Sequence, residues 1–255
     1  MILLLGGTSD SARLALELAE EGYNVLLSTA TDIPLNMAVH PNIRRRSGKL
    51  DEEGMTLLAR ERGIRAIVDA THPYATLVRR TARCVTECIN IPYFTLIRPI
   101  CVPEGEWIRM ADGHEEAASI ACSTGQPVFL TTGAKNLEPY VREARRTGVK
   151  LVVRVLPEET SLAACRTCGL DQESIITGKG PFSIEENRSV MKRHGIGVLV
   201  TKDSGPSGGT PEKLEAARLE GCLAVVVKRP FQPSDKAFKR PSDLIHAIRK
   251  QGINP

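Results

Sequence analysis

The chain is poor in the features that mark several function classes. Aromatic residues make up 4% of its 255 residues, one Trp, four Tyr and five Phe, and none forms a base-stacking motif of the kind single-strand binders use. Neither charge dominates: 34 Lys and Arg stand against 30 Asp and Glu, a formal +4. That is too small for a sequence-independent nucleic-acid binder. Apolar runs such as residues 2–5 fall far short of the ~18 residues a membrane span requires. The opening strand follows Met1 directly, without a basic n-region or cleavage site, so no secretory signal is expected and the protein reads as soluble and cytoplasmic. Seven cysteines, odd in number and scattered, read as reduced thiols. Cys165-x-x-Cys168 has no second pair at zinc-site spacing, and Cys84 and Cys88 lie in the other half of the chain. Helix packing accounts for these thiols, and no metal site is expected.

Some catalytic signatures are missing too. No tyrosine has a lysine four residues on, and no Walker Gly-Lys-Ser/Thr is present, which argues against short-chain dehydrogenase and nucleotide-hydrolysing chemistry. What remains is an ordinary globular mixture, 42% hydrophobic and 25% charged. At ~150 residues per domain the length predicts one large domain or two small ones. Strand-like apolar runs at 1–5, 25–29, 65–69 and 93–96 alternate with helix-period runs at 11–21, 51–62 and 76–88, with glycine at most boundaries. A βαβ series of this kind predicts a parallel, doubly wound sheet. Pro99 and Pro103 sit in a segment without helical period, which reads as a linker. The alternation then restarts, with strands at 128–132, 150–155, 174–177, 197–201 and 223–227. Helices are expected near 112–123, 137–146, 161–168, 183–194, 211–220 and 242–250. Asp112 with Glu115 and Ser183 with Glu186 look like capping boxes, and Thr210 before Pro211 looks like an N-cap. The expected architecture is two α/β domains, residues 1–98 and 99–255, with a cleft between them.

Gly6-Gly7-Thr8-Ser9-Asp10-Ser11-Ala12-Arg13 follows the first strand, where glycines and helix N-terminal amides can hold a dinucleotide pyrophosphate. Ala12 replaces the third glycine of the usual fingerprint, and a plain capped turn is the alternative. The second strand ends in Ser28-Thr29 without an acidic residue, and Arg44-Arg45-Arg46 comes soon after. That combination favours NADP over NAD, although an arginine triplet also suits a solvated surface. Asp69-Ala70-Thr71-His72-Pro73-Tyr74 follows the third strand, where a nicotinamide end would lie, and His72 is either a proton donor or a helix cap. Three loops of the second half, 131–135, 178–183 and 202–210, bring backbone amides to one sheet edge. Lys135, Lys202 and Lys213 accompany them, a pattern suited to a polyanionic ligand.

Taken together, residues 6–13, 69–75, 132–137, 180–183 with Asn187, and 202–213, then Arg229-Pro230, resemble the precorrin-6A reductase family of cobalamin (vitamin B12) biosynthesis. The likeness implies two Rossmann-like domains with the active site in the cleft between them. It implies an NADPH-dependent oxidoreductase that saturates one carbon–carbon double bond of a polycarboxylate macrocycle, acting as a monomer or small homo-oligomer. On this reading Gly6, Gly7, Thr8, Ser9, Ser11, Arg13, Ser28, Thr29, Arg46, Thr71, His72, Pro73 and Tyr74 bind the cofactor. Lys135, Ser183, Lys202, Ser204, Gly205 and Lys213 bind the substrate, and His72, Lys202 and Ser204 are the catalytic candidates. The alternatives are an NADP enzyme for another small acid and a non-catalytic NADP-sensing module.

Overall fold

The computed structural model describes residues 1–32, 34–230 and 237–255. The chain divides into two compact units, Met1–Pro99 with Pro230–Pro255, and Ile100–Arg229.

In the first unit the elements run β1 (Ile2–Leu5), α1 (Ser9–Glu20), β2 (Val25–Thr29), β3 (Ile43–Ser47), α2 (Glu52–Glu61), β4 (Ala66–Asp69), α3 (Thr76–Ile89) and β5 (Tyr93–Leu96). The second unit contains β6 (Ile108–Ala111), α4 (His114–Cys122), β7 (Val128–Leu130), α5 (Glu138–Thr147), β8 (Leu151–Val155), α6 (Glu159–Thr167), β9 (Ile175–Thr177), α7 (Ile184–His194), β10 (Val198–Lys202), α8 (Thr210–Leu219) and β11 (Leu223–Val227). The chain ends with β12 (Ala237–Phe238) and α9 (Pro241–Lys250).

Both sheets are parallel throughout, and five strands of each share one topology. The first is ordered β12-β5-β4-β1-β2-β3 and the second β6-β11-β10-β7-β8-β9. In each, three successive strands step outward in one direction, and the chain then crosses back to the other side of the first of them. The crossing falls between β1 and β4 in one sheet and between β7 and β10 in the other. At such a reversal the connections diverge and leave a crevice at the carboxyl ends of the strands.

The apolar run of β1 is buried on both faces, as a central parallel strand should be. Ile2 and Leu4 pack with Leu14 and Leu18 of α1, while Leu3 and Leu5 pack with Met55 of α2 and Val85 of α3. The helices therefore cover both faces of the sheet.

One expected boundary is corrected. Residues 99–255 are not a single unit, because the C-terminal segment belongs with the first. There β12 pairs with β5, and Leu244, Ile245 and Ile248 of α9 join the core that contains Ile2 and Leu4. The Tyr23 hydroxyl also donates to the Ile253 carbonyl at 2.9 Å. An amphipathic helix buries its stripe wherever a sheet face is open, and proximity along the chain does not decide where that is. The structure also adds three strands, β3, β6 and β12, each at a sheet edge. Edge strands carry polar and charged residues, as Arg44, Arg45 and Arg46 show in β3, so they lack the apolar run of a central strand. At α4 the expected cap is displaced: Gly113 is the N-cap, and the Asp112 amide donates to Glu116 Oε2 at 2.7 Å.

Leu244→Ala should lower the stability of the first unit by ~2–5 kcal/mol. Chemical denaturation checks this, and an unchanged midpoint would refute the packing of α9 on that core.

Candidate active site

The turn between β1 and α1 is shaped by two glycines and one buried hydroxyl. A Cβ on Gly6 would lie 2.6 Å from Ser11 Oγ and 2.8 Å from Leu27 Cδ1, so no side chain fits there. Gly7 has φ +115°, a backbone state that favours glycine. Thr8 caps α1, accepting from the Ser11 amide at 3.3 Å. Ser11 Oγ accepts from the Gly7 and Thr8 amides at 3.0 Å each and donates to the Thr8 carbonyl at 2.7 Å. With 0% exposure, Ser11 shapes the turn and offers no surface to a ligand. The Arg13 side chain is 64% exposed and lies 3.6 Å from Glu17, one turn along α1. Sequence reasoning missed Arg98, which pairs with Asp10 of the first helical turn at 2.6 Å, both side chains largely buried. That pairing offsets a carboxylate at a helix end whose dipole attracts anions. No local signal links residues this far apart in the chain.

Across the reversal, the Thr8 hydroxyl donates to the Ala70 carbonyl at 3.3 Å and ties this turn to the loop after β4. That loop is organised by Asp69, which is fully buried. Its Oδ1 accepts from the Thr71 amide and hydroxyl at 2.9 and 2.6 Å. Its Oδ2 accepts from Arg79 Nε at 2.5 Å and from the Tyr93 hydroxyl at 2.9 Å. Arg79 also donates to the carbonyls of His72 and Pro73 at 3.2 and 3.1 Å. Burial, reinforced by the Asp69 charge, raises the Tyr93 pKa well above the usual phenol range. Arg79 and Tyr93, both absent from the sequence reading, therefore hold Thr71, His72 and Pro73 in place. His72 Nδ1 accepts from the Tyr74 amide at 3.4 Å, and the two rings lie 5.6 Å apart.

At the end of β2, Ser28 pairs in register with Arg46 of β3. Arg46 Nη1 donates to Ser28 Oγ at 2.7 Å, and its guanidinium also holds the carbonyls of Ser47 and Gly48 at 2.9 Å. Arg45 turns to Thr29 Oγ1 and the Thr31 carbonyl, both at 3.4 Å. The structure thus singles out Arg46 as the member of the triplet joined to Ser28.

In the second unit the same reversal brings the loop after β7, with Lys135, beside the loop after β10, with Lys202. Burial, together with the charge of Lys135, lowers the Lys202 pKa to about 8. Burial and the Lys202 charge lower that of His114 to about 4, and His114 Nδ1 lies 2.8 Å from the Tyr140 hydroxyl. Lys213, from α8, donates to the Gly208 carbonyl at 2.8 Å, and its pKa falls to about 8 through burial and the charge of Arg154. The loop of residues 202–210 folds around Thr210, which lies inside α8 and is not its cap. Its hydroxyl accepts from the Ser204 amide at 3.0 Å and donates to the Lys202 carbonyl at 3.2 Å. The Gly205 amide donates to Asp203 Oδ1 at 3.3 Å, and Asp203 pairs with Arg229 at 2.8 Å. The amides of Ser204 and Gly205, expected to face an anion, are thus committed inside the loop. Ser183 is committed too: its hydroxyl serves a capping box with Glu186.

Comparison with known proteins follows this geometry. The precorrin-6x reductase CbiJ/CobK family model matches residues 1–249. The cobalt-precorrin-6A reductase of Priestia megaterium is 33% identical, over 98% of this chain and 99% of that protein. The precorrin-6A reductase of Rhodococcus erythropolis is 30% identical, over 97% of this chain and 95% of that protein. The solved structure of a CobK precorrin-6A reductase matches with a TM-score of 0.81 at 22% identity, covering 100% of this chain and 98% of that one. At that identity it speaks for the two-sheet fold. No helix among the described residues is long and apolar enough to cross a membrane.

Lys202 and Lys213 hold their protons less tightly when folded, at about 8 against an ordinary 10.5. The unfolded chain therefore binds more protons between those values, and the stability of the ligand-free protein should rise as pH increases through that window. Lys202→Met should flatten the rise, measured by denaturation at a series of pH values. An identical slope in the variant would refute the burial of this charge.

Proposed function

The chain belongs to the precorrin-6x reductase family, and from that premise we propose that it uses NADPH to reduce one carbon–carbon double bond of precorrin-6A, or of its cobalt form, in cobalamin biosynthesis. The observation that carries this reading is the placement of two unlike loop pairs at the two strand reversals. One pair is glycine-rich and shaped to admit a diphosphate; the other bears lysines suited to carboxylates.

The residues of the first unit fit a pyridine dinucleotide. The turn at Gly6 leaves no room for a side chain, and the amides at the start of α1 face the positive end of the helix dipole. The Gly6, Gly7 and Thr8 amides are taken by the Ser28 carbonyl and Ser11 Oγ, so Gly6, Gly7 and Thr8 are assigned to shaping the space for the pyrophosphate and Ser9 to binding it, with Ser11 holding their turn. Arg46, Ser28 and Thr29 are assigned to the 2′-phosphate, since no carboxylate stands at the end of β2 to repel it. Thr71, His72, Pro73 and Tyr74 are assigned to the nicotinamide end, in a loop pinned by Asp69 and Arg79. When bound, the reduced nicotinamide supplies the hydride, and the protein's contribution is chiefly positioning.

The macrocycle's carboxylates fall to Lys135, Lys202 and Lys213. Lys202, with a pKa lowered to about 8, is charged at neutral pH yet can release a proton, which suits the donor that C–C reduction needs. His72 is the other donor candidate. The free cysteines suit the reducing cytoplasm, where we place the enzyme.

Purified protein should oxidise NADPH only when precorrin-6A or cobalt-precorrin-6A is supplied, and the absence of oxidation with both would overturn the proposal. Arg46→Ala removes a charge-assisted contact of ~1.5–3 kcal/mol. It should weaken NADPH binding about tenfold or more while leaving NADH binding nearly unchanged. Titration by calorimetry decides this, and equal losses for both cofactors would remove Arg46 from the 2′-phosphate site.

A further inference from the structure

Strand β8 reads Leu-Val-Val-Arg-Val, an apolar strand with one arginine beside its carboxyl end. Alternation places Arg154 on the face of Val152, in the layer that contains Met191 of α7 and Leu214 of α8. It is 7% exposed. Its Cζ lies 4.7 Å from the centre of the Phe129 ring and 4.0 Å from that of Phe182. Nη1 donates to Asn187 Oδ1 at 2.8 Å, and the Asn187 amide in turn holds the carbonyls of Phe182 and Ser183 at 3.3 and 2.7 Å. Nε is buried and has no hydrogen-bond partner.

No carboxylate among the described residues pairs with this guanidinium. Glu186 acts on it only through space, its Oε2 being taken by the Ser183 amide and hydroxyl at 2.7 and 2.9 Å. The nearby cation is Lys213, whose own hydrogen bond goes to a carbonyl. Burial and Arg154 lower the Lys213 pKa, and the Glu212 charge only partly opposes this. Two rings and one amide satisfy the faces and one N–H of the arginine but leave its charge unbalanced. A buried cation carries a desolvation cost that a counter-charge must offset, and apolar residues would pack the same space without it. Among the described residues no carboxylate is hydrogen-bonded to this guanidinium.

We propose that Arg154 and Lys213 form a carboxylate seat on the second unit, with Asn187 positioning the Arg154 guanidinium, additional to the position served by Lys202 and Lys135. Strand β8 lies two strands from β10 in the sheet, a backbone separation of roughly 10 Å, and alternation puts Arg154 on the face of Leu199 and Lys202 on the opposite one. One carboxylate cannot occupy both, whereas two acid arms of one ligand can. The seat thus deepens the reading of a polycarboxylate substrate and rests on it. Its role is to orient the ligand through a second, distant contact.

Uroporphyrin III, a tetrapyrrole with eight carboxylates, serves as the probe, with binding to the full-length protein measured by calorimetry. Arg154→Gln should weaken binding about tenfold or more, as loss of one charge-assisted contact does, and Lys213→Met should do likewise. Arg154→Lys should recover part of the loss, because it keeps the charge without the planar fork. The melting temperature of Arg154→Gln should stay level or rise, which separates a binding role from a purely structural one. Binding within twofold of wild type for both Arg154→Gln and Lys213→Met, or no binding of the probe by wild type, overturns the seat. Arg154-dependent binding of the probe without reduction of either precorrin-6A form sinks the substrate reading and leaves the seat standing.

Discussion

A parallel sheet whose connections leave one central strand in opposite directions cannot close over the carboxyl ends of that strand and its neighbour. This constraint operates twice in the molecule, at β1 with β4 and at β7 with β10. The loops that follow β1, β4, β7 and β10 open at these gaps, and residues of other strands and helices brace them. The sixth strand of each sheet comes from outside the repeated pattern, β12 in one and β6 in the other. Since both occupy the edge, neither disturbs the crevice.

The two reversals carry opposite electrostatic designs. In the first unit the buried charges are balanced internally: Asp69 by Arg79, and Asp10 by Arg98. Such pairs stabilise little in net terms, but losing one partner is costly, so they hold loop geometry firmly. The loop of residues 71–74 is fixed this way before any ligand arrives. In the second unit Asp203 and Arg229 brace the loop after β10 in the same manner, whereas burial, beside another cation, lowers the pKa of Lys202 and of Lys213. Balanced pairs build the frame, and the clustered cations are where we assign the substrate's carboxylates.

Much of this was legible in the residues themselves. The order of strands and helices, the parallel sheets, the glycine turn and the lysine-bearing loops all follow from local pattern. Two kinds of feature were not legible. Edge strands such as β3 lack a two-sided apolar run, so Arg44, Arg45 and Arg46 were not read as a strand, although they form one in register with β2. Hydroxyls and amides were assigned to ligands by their position in a loop. The structure shows Ser11, Ser183 and the Ser204 amide engaged in capping and loop closure, since buried polar groups must find partners before they can serve a ligand.

The sequence by itself determined the class of the molecule: which segments are strands and helices, that the sheets are parallel, and where glycine lets the chain turn. These depend on periodicity and backbone freedom over a few residues. The tertiary structure alone decided which distant side chains meet. It placed α9 on the first sheet, Arg98 beside Asp10, Arg46 beside Ser28, and Arg154 between Phe129 and Phe182. Such meetings arise from strand order and register, which bring together residues whose separation along the chain carries no information about their contact.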